Sequence, residues 1–315
     1  MTELIRIKGV TKEYKKDRVL EDANLIIEEG DVIGVIGQSG SGKTTLLSLI
    51  AGFIEPTDGE VVYVSKVDNV EHNLHENLHK IKKHIGFTQQ RNSFYGKLTV
   101  MENLVHFGKL CGLPTKTVLA NARNLLEFTH LTNHHDKLAE QLSGGMQKRL
   151  DISCSLVHKP KILLLDEPTA DLDPILRRDI LNLLQEVNQQ GVTVVIASHH
   201  LDEVESICNK VAVVHQGKVH SFGLIEDIRK PYLRDNFTIN IQPGTDKERL
   251  LNHLNKLPIT KIIDHNGNLQ IYTEKLEQTM SSLIGFIKDE HLNFHDLNIQ
   301  KPSLRDVFEQ IAGNN

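Results

Sequence analysis

A chain of 315 residues, 39% hydrophobic and 24% charged, carries enough apolar material for one large or two medium cores without disulfide or metal staples. Its 36 Lys and Arg against 41 Asp and Glu leave a formal charge of −5, which argues against a broad cationic surface for coating a nucleic-acid backbone. Any phosphate binding is therefore local. Cys111, Cys154 and Cys208 have neither metal-ligand spacing nor a paired framework, which fits packing residues in a reducing cytosol. The N-terminal MTELIRIKGV lacks the apolar stretch of an export signal, and the longest apolar runs, Ile162–Leu165 and Val192–Ala197, are strand-sized. They fall far short of the roughly 20 residues of a spanning helix, so work at a membrane would need another chain to cross it.

In chain order, residues 2–64 read as short strands, Leu4–Val10, Asn24–Glu28 and the β-branched run Asp31–Ile36, which ends at a glycine-rich turn. A helix follows over about Lys43–Ala51, with Gly52 as its stop and Pro56 beyond. Residues 69–84 turn to Asn, His and Lys, and Ile85–Thr88 resumes as a strand. Thr99 with Glu102 has capping-box spacing ahead of a helical stretch that Thr115–Thr129 continues. From Lys161 buried strands and helices alternate: strand Ile162–Leu165, helix Ile175–Gln190, strand Val192–Ala197, helix Leu201–Cys208, strand Val211–His215. This order predicts a doubly wound α/β core with a helical insertion. The chain leaves that core around Lys230–Pro231. Strand Phe237–Gln242, helix Asp246–Leu257, strand Ile259–Asp264, a turn at Asn266–Gly267, strand Leu269–Thr273, helix Glu277–Glu290 and strand Leu292–Ile299 then spell βαββαβ, a ferredoxin-like order.

Chemistry concentrates in a few segments. Gly37, Gln38, Ser39, Gly40, Ser41, Gly42, Lys43 and Thr44 fit the phosphate-loop pattern, placed after a strand and opening a helix. Glycines let backbone amides face a β-phosphate, Lys43 reaches the β and γ oxygens, and the Thr44 hydroxyl suits Mg²⁺. The strand Ile162–Leu165 ends in Asp166 and Glu167. Taken alone these are equally an ordinary solvated strand end; as a site, Asp166 holds Mg²⁺ through water and Glu167 polarises an attacking water. Leu142, Ser143, Gly144 and Gly145 stand about twenty residues earlier and open an apolar-periodic helix, a setting that by itself reads as the small-residue N-cap of a core helix.

Together, Gly37–Thr44, Leu142–Gly145 and Asp166–Glu167 resemble the ATP-binding cassette of ABC transporters, and the resemblance runs over residues 4 to about 225. It implies an α/β fold: a P-loop NTPase ABC cassette with a parallel-sheet core, an antiparallel β subdomain and a helical insertion, plus a small α+β ferredoxin-like C-terminal domain. The implied domains are 1–229, with a helical subdomain over about 91–157, and 230–315. ATP and Mg²⁺ are the implied ligands. In the family's pattern Tyr14 stacks on adenine, and Gly37–Thr44 with Thr45 bind ATP. Thr44, Gln90 and Asp166 surround Mg²⁺, and Glu167, His199 and Lys43 carry catalysis. Leu142–Gly145 close over the nucleotide of the opposite subunit, and Asp173 lies in the loop that crosses between subunits. The register of Leu98–Leu104 selects Gln90 over Gln89. The resemblance further implies a homodimer or paired cassette, a separate transmembrane permease, no nucleic-acid partner, and a cytoplasmic chain held at the inner face of the cell membrane by that permease.

Three positions depart from the family's pattern: Asp171 replaces a small residue, Gln89 a proline, and Met146 the glutamine of the signature. Met146 and the closing Lys301–Phe308 resemble the branch of drug, lipid and antibiotic exporters. A non-transport ABC ATPase acting on ribosomes or DNA is the rival reading, but the fused cassettes, zinc insertions or long arms of such proteins have no counterpart here. His75-Glu76-Asn77-Leu78-His79 spells a zinc-protease motif, read as a chance match in a solvated insertion of a chain with 17 histidines.

Overall fold

The structure, a computed structural model, describes residues 2–15, 17–64, 70–233, 237–244, 246–265, 268–273, 275–300 and 303–313. They form two compact units, Met1–Leu224 and Ile225–Asn315. The division falls ahead of the expected Lys230–Pro231 break because a helix, Ile225–Leu233, runs through those two residues.

The first unit is built on a six-stranded sheet in the order Lys218–Leu224, Lys210–His215, Val32–Ile36, Thr193–Ser198, Ile162–Asp166, Ile85–Thr88. All neighbours pair in parallel except the edge strand Lys218–Leu224, which pairs antiparallel with Lys210–His215. Val32–Ile36, Ile162–Asp166 and Thr193–Ser198 are buried at every position, as strands covered on both faces must be. Alternate residues divide between the faces. Ile162 and Leu164 join Leu46, Leu47 and the antiparallel sheet in one cluster, while Leu163 and Leu165 join Ile152, Ile180 and Leu184 of two helices in another. The antiparallel sheet has the order Asp17–Glu28, Glu3–Tyr14, Asp58–Val64, Glu71–Asn73.

The helical insertion has its own core of Val100, Leu104, Ala122, Leu126, Leu150 and Cys154. Its first helix, Val100–Leu110, opens on the expected capping box, with Thr99 Oγ1 accepting from the Glu102 amide at 3.1 Å and Glu102 Oε2 from the Thr99 amide at 2.8 Å. The helix Gly144–Leu156 joins insertion to core, since Leu150 and Cys154 face the insertion and Ile152 and Leu156 the sheet.

The second unit has a sheet in the order Ile259–His265, Asn268–Thr273, Phe237–Pro243, Phe294–Gln300, antiparallel throughout. With helices Lys247–Leu254 and Leu276–Asp289 between strands, this is the ferredoxin-like arrangement. Ile239, Ile241, Leu269 and Ile271 pack against Leu250, Leu254 and Leu283. A terminal helix, Leu304–Gly313, begins where Ser303 and Asp306 cap each other, with the Ser303 amide donating to Asp306 Oδ2 at 2.7 Å. The expected turn at Asn266–Gly267 and the start of the closing motif, Lys301–Pro302, lie outside the described residues.

Additions to the expected order include Asp58–Val64, Glu71–Asn73, Leu78–Ile81, Lys218–Leu224 and Ile225–Leu233. The short strand and turns around Glu71–Asn77 also separate the two histidines of the HExxH match. Helix begins only at Leu78, and His75 Nε2 lies 2.9 Å from the carbonyl of Ile54.

Candidate functional site

Parallel pairing brings one end of every core strand to a common edge. Ile36 stands beside Ser198, Asp166 beside Ala197 and Thr88 beside Leu165, so the loops after these strands share one ledge. Ligands of open α/β sheets collect at the carboxyl ends of the strands.

The loop Gly37–Gly42 is glycine-rich because its backbone demands it. Gly42 has φ 109°, and a Cβ there would meet Leu20 Cδ2 at 2.8 Å and the Val19 carbonyl at 2.9 Å. Lys43 opens the helix Lys43–Ile50, is buried, and donates to the carbonyls of Gly37 at 2.9 Å and Gln38 at 3.1 Å. Burial pushes its ammonium below the usual lysine range, while Glu167 and Asp166 oppose that shift. The Ser41 hydroxyl is buried without a hydrogen-bond partner, and its amide donates to the Gln38 carbonyl at 3.1 Å. Thr44 Oγ1 donates to Asp166 Oδ2 at 2.8 Å, and Thr45 follows in the same helix.

Glu167 adopts φ 49°, a left-handed turn held by its amide donating to the Ala197 carbonyl at 2.9 Å. The turn aims the carboxylate along the ledge. One oxygen lies 2.9 Å from His199 Nδ1 and the other 3.9 Å from Lys43 Nζ. Glu167 is 8% exposed, whereas the His199 side chain is 53% exposed and reaches toward the open side.

Lys43, Thr44, Asp166, Glu167 and His199 thus form one constellation. Tyr14, 45% exposed, ends its strand with Lys12 Nζ 5.2 Å from the ring centroid, on the hairpin whose return strand carries Leu20 against Gly42. Gln90 follows the strand Ile85–Thr88 at the ledge, but its side chain bonds neither Thr44 nor Asp166; its carbonyl accepts from Lys148 Nζ at 3.4 Å. Leu142 is buried, while Ser143 and Gly144 are exposed at an uncapped helix start. A Cβ on Gly145 would stand 2.9 Å from Leu176 Cδ2, so a side chain there would displace Leu176. Asp173 caps the helix Pro174–Gln189, accepting from the amides of Ile175 and Leu176 at 2.9 and 3.0 Å.

Two clusters escaped the sequence reading. Glu203 is buried, accepts from Thr169 Oγ1 at 2.5 Å and lies 3.1 Å from Arg177 Nε, tying the loop after Glu167 to the helix after His199. In sequence it passes for one of several solvated acids at a helix start. Asp151 accepts from the Ser93 amide at 2.9 Å and Lys148 reaches Gln90, so the helix that begins at Gly144 holds the segment 90–93.

The family model described as ABC transporter matches residues 20–170. Over 99% of its length the chain is 32% identical to 98% of the bacitracin transport ATP-binding protein BcrA of Bacillus licheniformis. The chain belongs to the ABC transporter family, as an ATP-binding subunit. It is also 32% identical to the methionine import ATP-binding protein MetN 3 of Oceanobacillus iheyensis, over 99% of this chain and 90% of that one. The linearmycin resistance ATP-binding protein LnrL of Bacillus subtilis is 28% identical over 98% of both chains. Among solved structures, a dimeric ATP-binding cassette in a post-hydrolysis state with ADP and Pi aligns with a TM-score of 0.61 and 31% identity, over 70% of this chain and 99% of that chain.

As an ABC ATPase the chain hydrolyses ATP with Mg²⁺, and its residues fit the cation. Thr44 Oγ1 and Asp166 Oδ2 present hard oxygen donors side by side, the kind of ligand a small divalent ion takes. Burial raises the Asp166 carboxyl above its ordinary value, which a positive ion beside it would reverse.

Asp151 gives the cassette of this ABC protein a pH signature. Burial pushes its carboxyl up to about 6, against the Ser93 amide and Lys148, which favour the ionised form. An acid whose folded pKa lies above its unfolded value takes up a proton on folding between the two, so this contribution falls as pH rises from about 4 to about 6. The loss is on the order of 3 kcal/mol by pH 7. Urea titrations at pH 5 and 7 are expected to show roughly half of this decline, about 1.5 kcal/mol, in the native chain and its absence in Asp151→Asn; equal pH dependence in both would assign the decline elsewhere.

Proposed function

We propose that the chain powers export, as the ATP-hydrolysing subunit of a dimer bound to a separate transmembrane permease. The observation that carries the catalytic part is Glu167 poised between His199 at 2.9 Å and Lys43 at 3.9 Å. In this reading Lys43 leaves the Gly37 and Gln38 carbonyls for the terminal phosphate oxygens, and the loop amides and the Ser41 hydroxyl line the phosphate path. Thr44, Asp166 and Gln90 are the metal-side residues; Mg²⁺, when bound, supplies charge neutralisation to the β and γ phosphates. Glu167 accepts the proton of the attacking water as the bond from the γ-phosphorus to the bridging oxygen breaks, and ADP departs with that oxygen. His199 orients Glu167 and donates toward the γ-phosphate. Tyr14 stacks on adenine.

One subunit holds only half of this arrangement. Leu142–Gly145 present amides and the Ser143 hydroxyl at a helix N-terminus, where a negative phosphate from a second subunit is favoured. Ile175, 76% exposed in the first turn of the helix that Asp173 caps, is the apolar side chain expected where another subunit covers this segment. Closure around two ATP molecules moves the permease, and hydrolysis reopens the pair.

Export over import rests on Met146 and the closing motif Lys301–Phe308, with full-length likeness to a bacitracin transport protein and a linearmycin resistance protein. The likeness to MetN 3 makes direction an experimental question. The chain, co-purified with its cognate permease and reconstituted in vesicles with the cassette facing outward, is expected to drive cargo into the lumen. Cargo leaving the lumen would make it an importer. Added RNA or DNA is expected to leave hydrolysis unchanged at every salt concentration; stimulation with steep salt dependence would favour a nucleic-acid ATPase.

The loop residue Asp171 sits at φ 61°, where glycine is favoured, and shares a groove with Arg91 and Lys148. Burial pushes the Lys148 ammonium below the usual lysine range, and Asp151 and Asp171 oppose that shift. Asp171→Gly is expected to change the steady-state ATPase rate severalfold by freeing this loop. An unchanged rate would reduce Asp171 to a turn residue.

A further inference from the structure

The insertion's core and the sheet-side cluster of Ile152, Leu163 and Leu184 do not meet everywhere. Helix Thr115–Phe128 gives Val118, Ala122 and Leu126 to the insertion's interior, while Leu125 and Phe128 of its other face lean on the sheet-side cluster and stay only partly buried. Between them lies a cavity of about 490 Å³, at the opposite end of the strands from the nucleotide ledge, where Ile162 and Thr193 begin. Its walls include Leu125, Phe128, Leu156 and Val192; Lys159 and Lys161 stand at its rim. No carboxylate lines it. Neither lysine pairs with a carboxylate among the described residues, and the lining holds no acid, so the two ammonium groups stand without an acidic partner at the cavity in a chain of net charge −5. Unfilled apolar walls forfeit dispersion contacts, and unpaired ammonium groups beside them attract an anion.

We propose that this cavity is a binding site for a small amphipathic organic anion, an alkyl or aryl carboxylate whose apolar body fills the gap while its carboxylate meets Lys159 and Lys161. The volume lies in the range of small-molecule sites and admits one chain, which excludes a two-chain phospholipid. An occupant would bridge the insertion helix and the core, adding contacts that the two clusters lack.

The chain has no tryptophan, so Phe128→Trp places a single fluorescent reporter in the cavity wall. Titration with 10-bromodecanoate is expected to quench this reporter saturably with a Kd below about 1 mM. The neutral 10-bromodecanol is expected to bind at least ~10-fold more weakly. Introducing Lys159→Glu with Lys161→Glu is expected to weaken the acid by ~10-fold or more, leaving the alcohol and the basal ATPase rate unchanged. Calorimetry of decanoate with the unsubstituted chain tests the same affinity without the larger ring in the wall. Vesicles of brominated phosphatidylglycerol are expected to leave the reporter unquenched. The proposal is overturned if neither titration shows saturable binding, if acid and alcohol bind alike, if charge reversal leaves the acid's affinity intact, or if the vesicles quench. These outcomes do not depend on export or on cassette dimerisation.

Discussion

Replacing Glu167 by Gln is expected to lower ATP turnover by about 10²–10⁴-fold while leaving nucleotide affinity near its native value. The amide keeps the size of the carboxylate and can still meet His199 Nδ1, which stands 2.9 Å from the native oxygen, but it cannot accept a proton from water. Gln has the same branching at Cβ as Glu, so the left-handed turn at φ 49° is expected to persist and the fold to be retained. Single-turnover measurements with radiolabelled ATP separate the two properties. Native turnover with the amide would remove Glu167 from its role and leave the water without a base in this ledge.

Lys43→Ala is expected to cost both affinity and rate. The ammonium is held by two loop carbonyls at 2.9 and 3.1 Å and faces Glu167 at 3.9 Å, so it waits beside the phosphate path rather than in solvent. A preorganised charge inside a shielded site stabilises the γ-phosphoryl transition state far more than an exposed one does, and its loss is expected to reduce kcat by about 10²–10³-fold. Burial of the unsubstituted alkyl stem is a small part of the helix packing, so the thermal midpoint is expected to move little. A variant with native kcat and a collapsed midpoint would make Lys43 structural.

Much of this site was legible in the sequence because its chemistry is local. The glycines of Gly37–Gly42, the acids ending Ile162–Asp166 and the histidine after Thr193–Ser198 each announce themselves by type and position, and parallel pairing then brings them together. What remained hidden is non-local. Nothing near Glu203 in the chain reveals that Thr169 and Arg177 will meet it, and Asp151 looks like one polar position of an amphipathic helix until Ser93 is placed beside it. The edge strand Lys218–Leu224 was missed because its residues are mostly half-exposed and its apolar signal is diluted, unlike the continuous runs beside it. Helix Ile225–Leu233 was missed because a proline marks a break in most helices, and here it does not end one.

The test that bears most directly on a catalytic centre shared between two chains is the mass of Glu167→Gln with and without MgATP, by light scattering or sedimentation, with the cognate permease added if the free chain needs it. A monomer that becomes a dimer on saturation with MgATP and reverts when nucleotide is removed is the expected result. A variant that binds MgATP fully yet keeps a single cassette's mass, alone and with its permease, would contradict it.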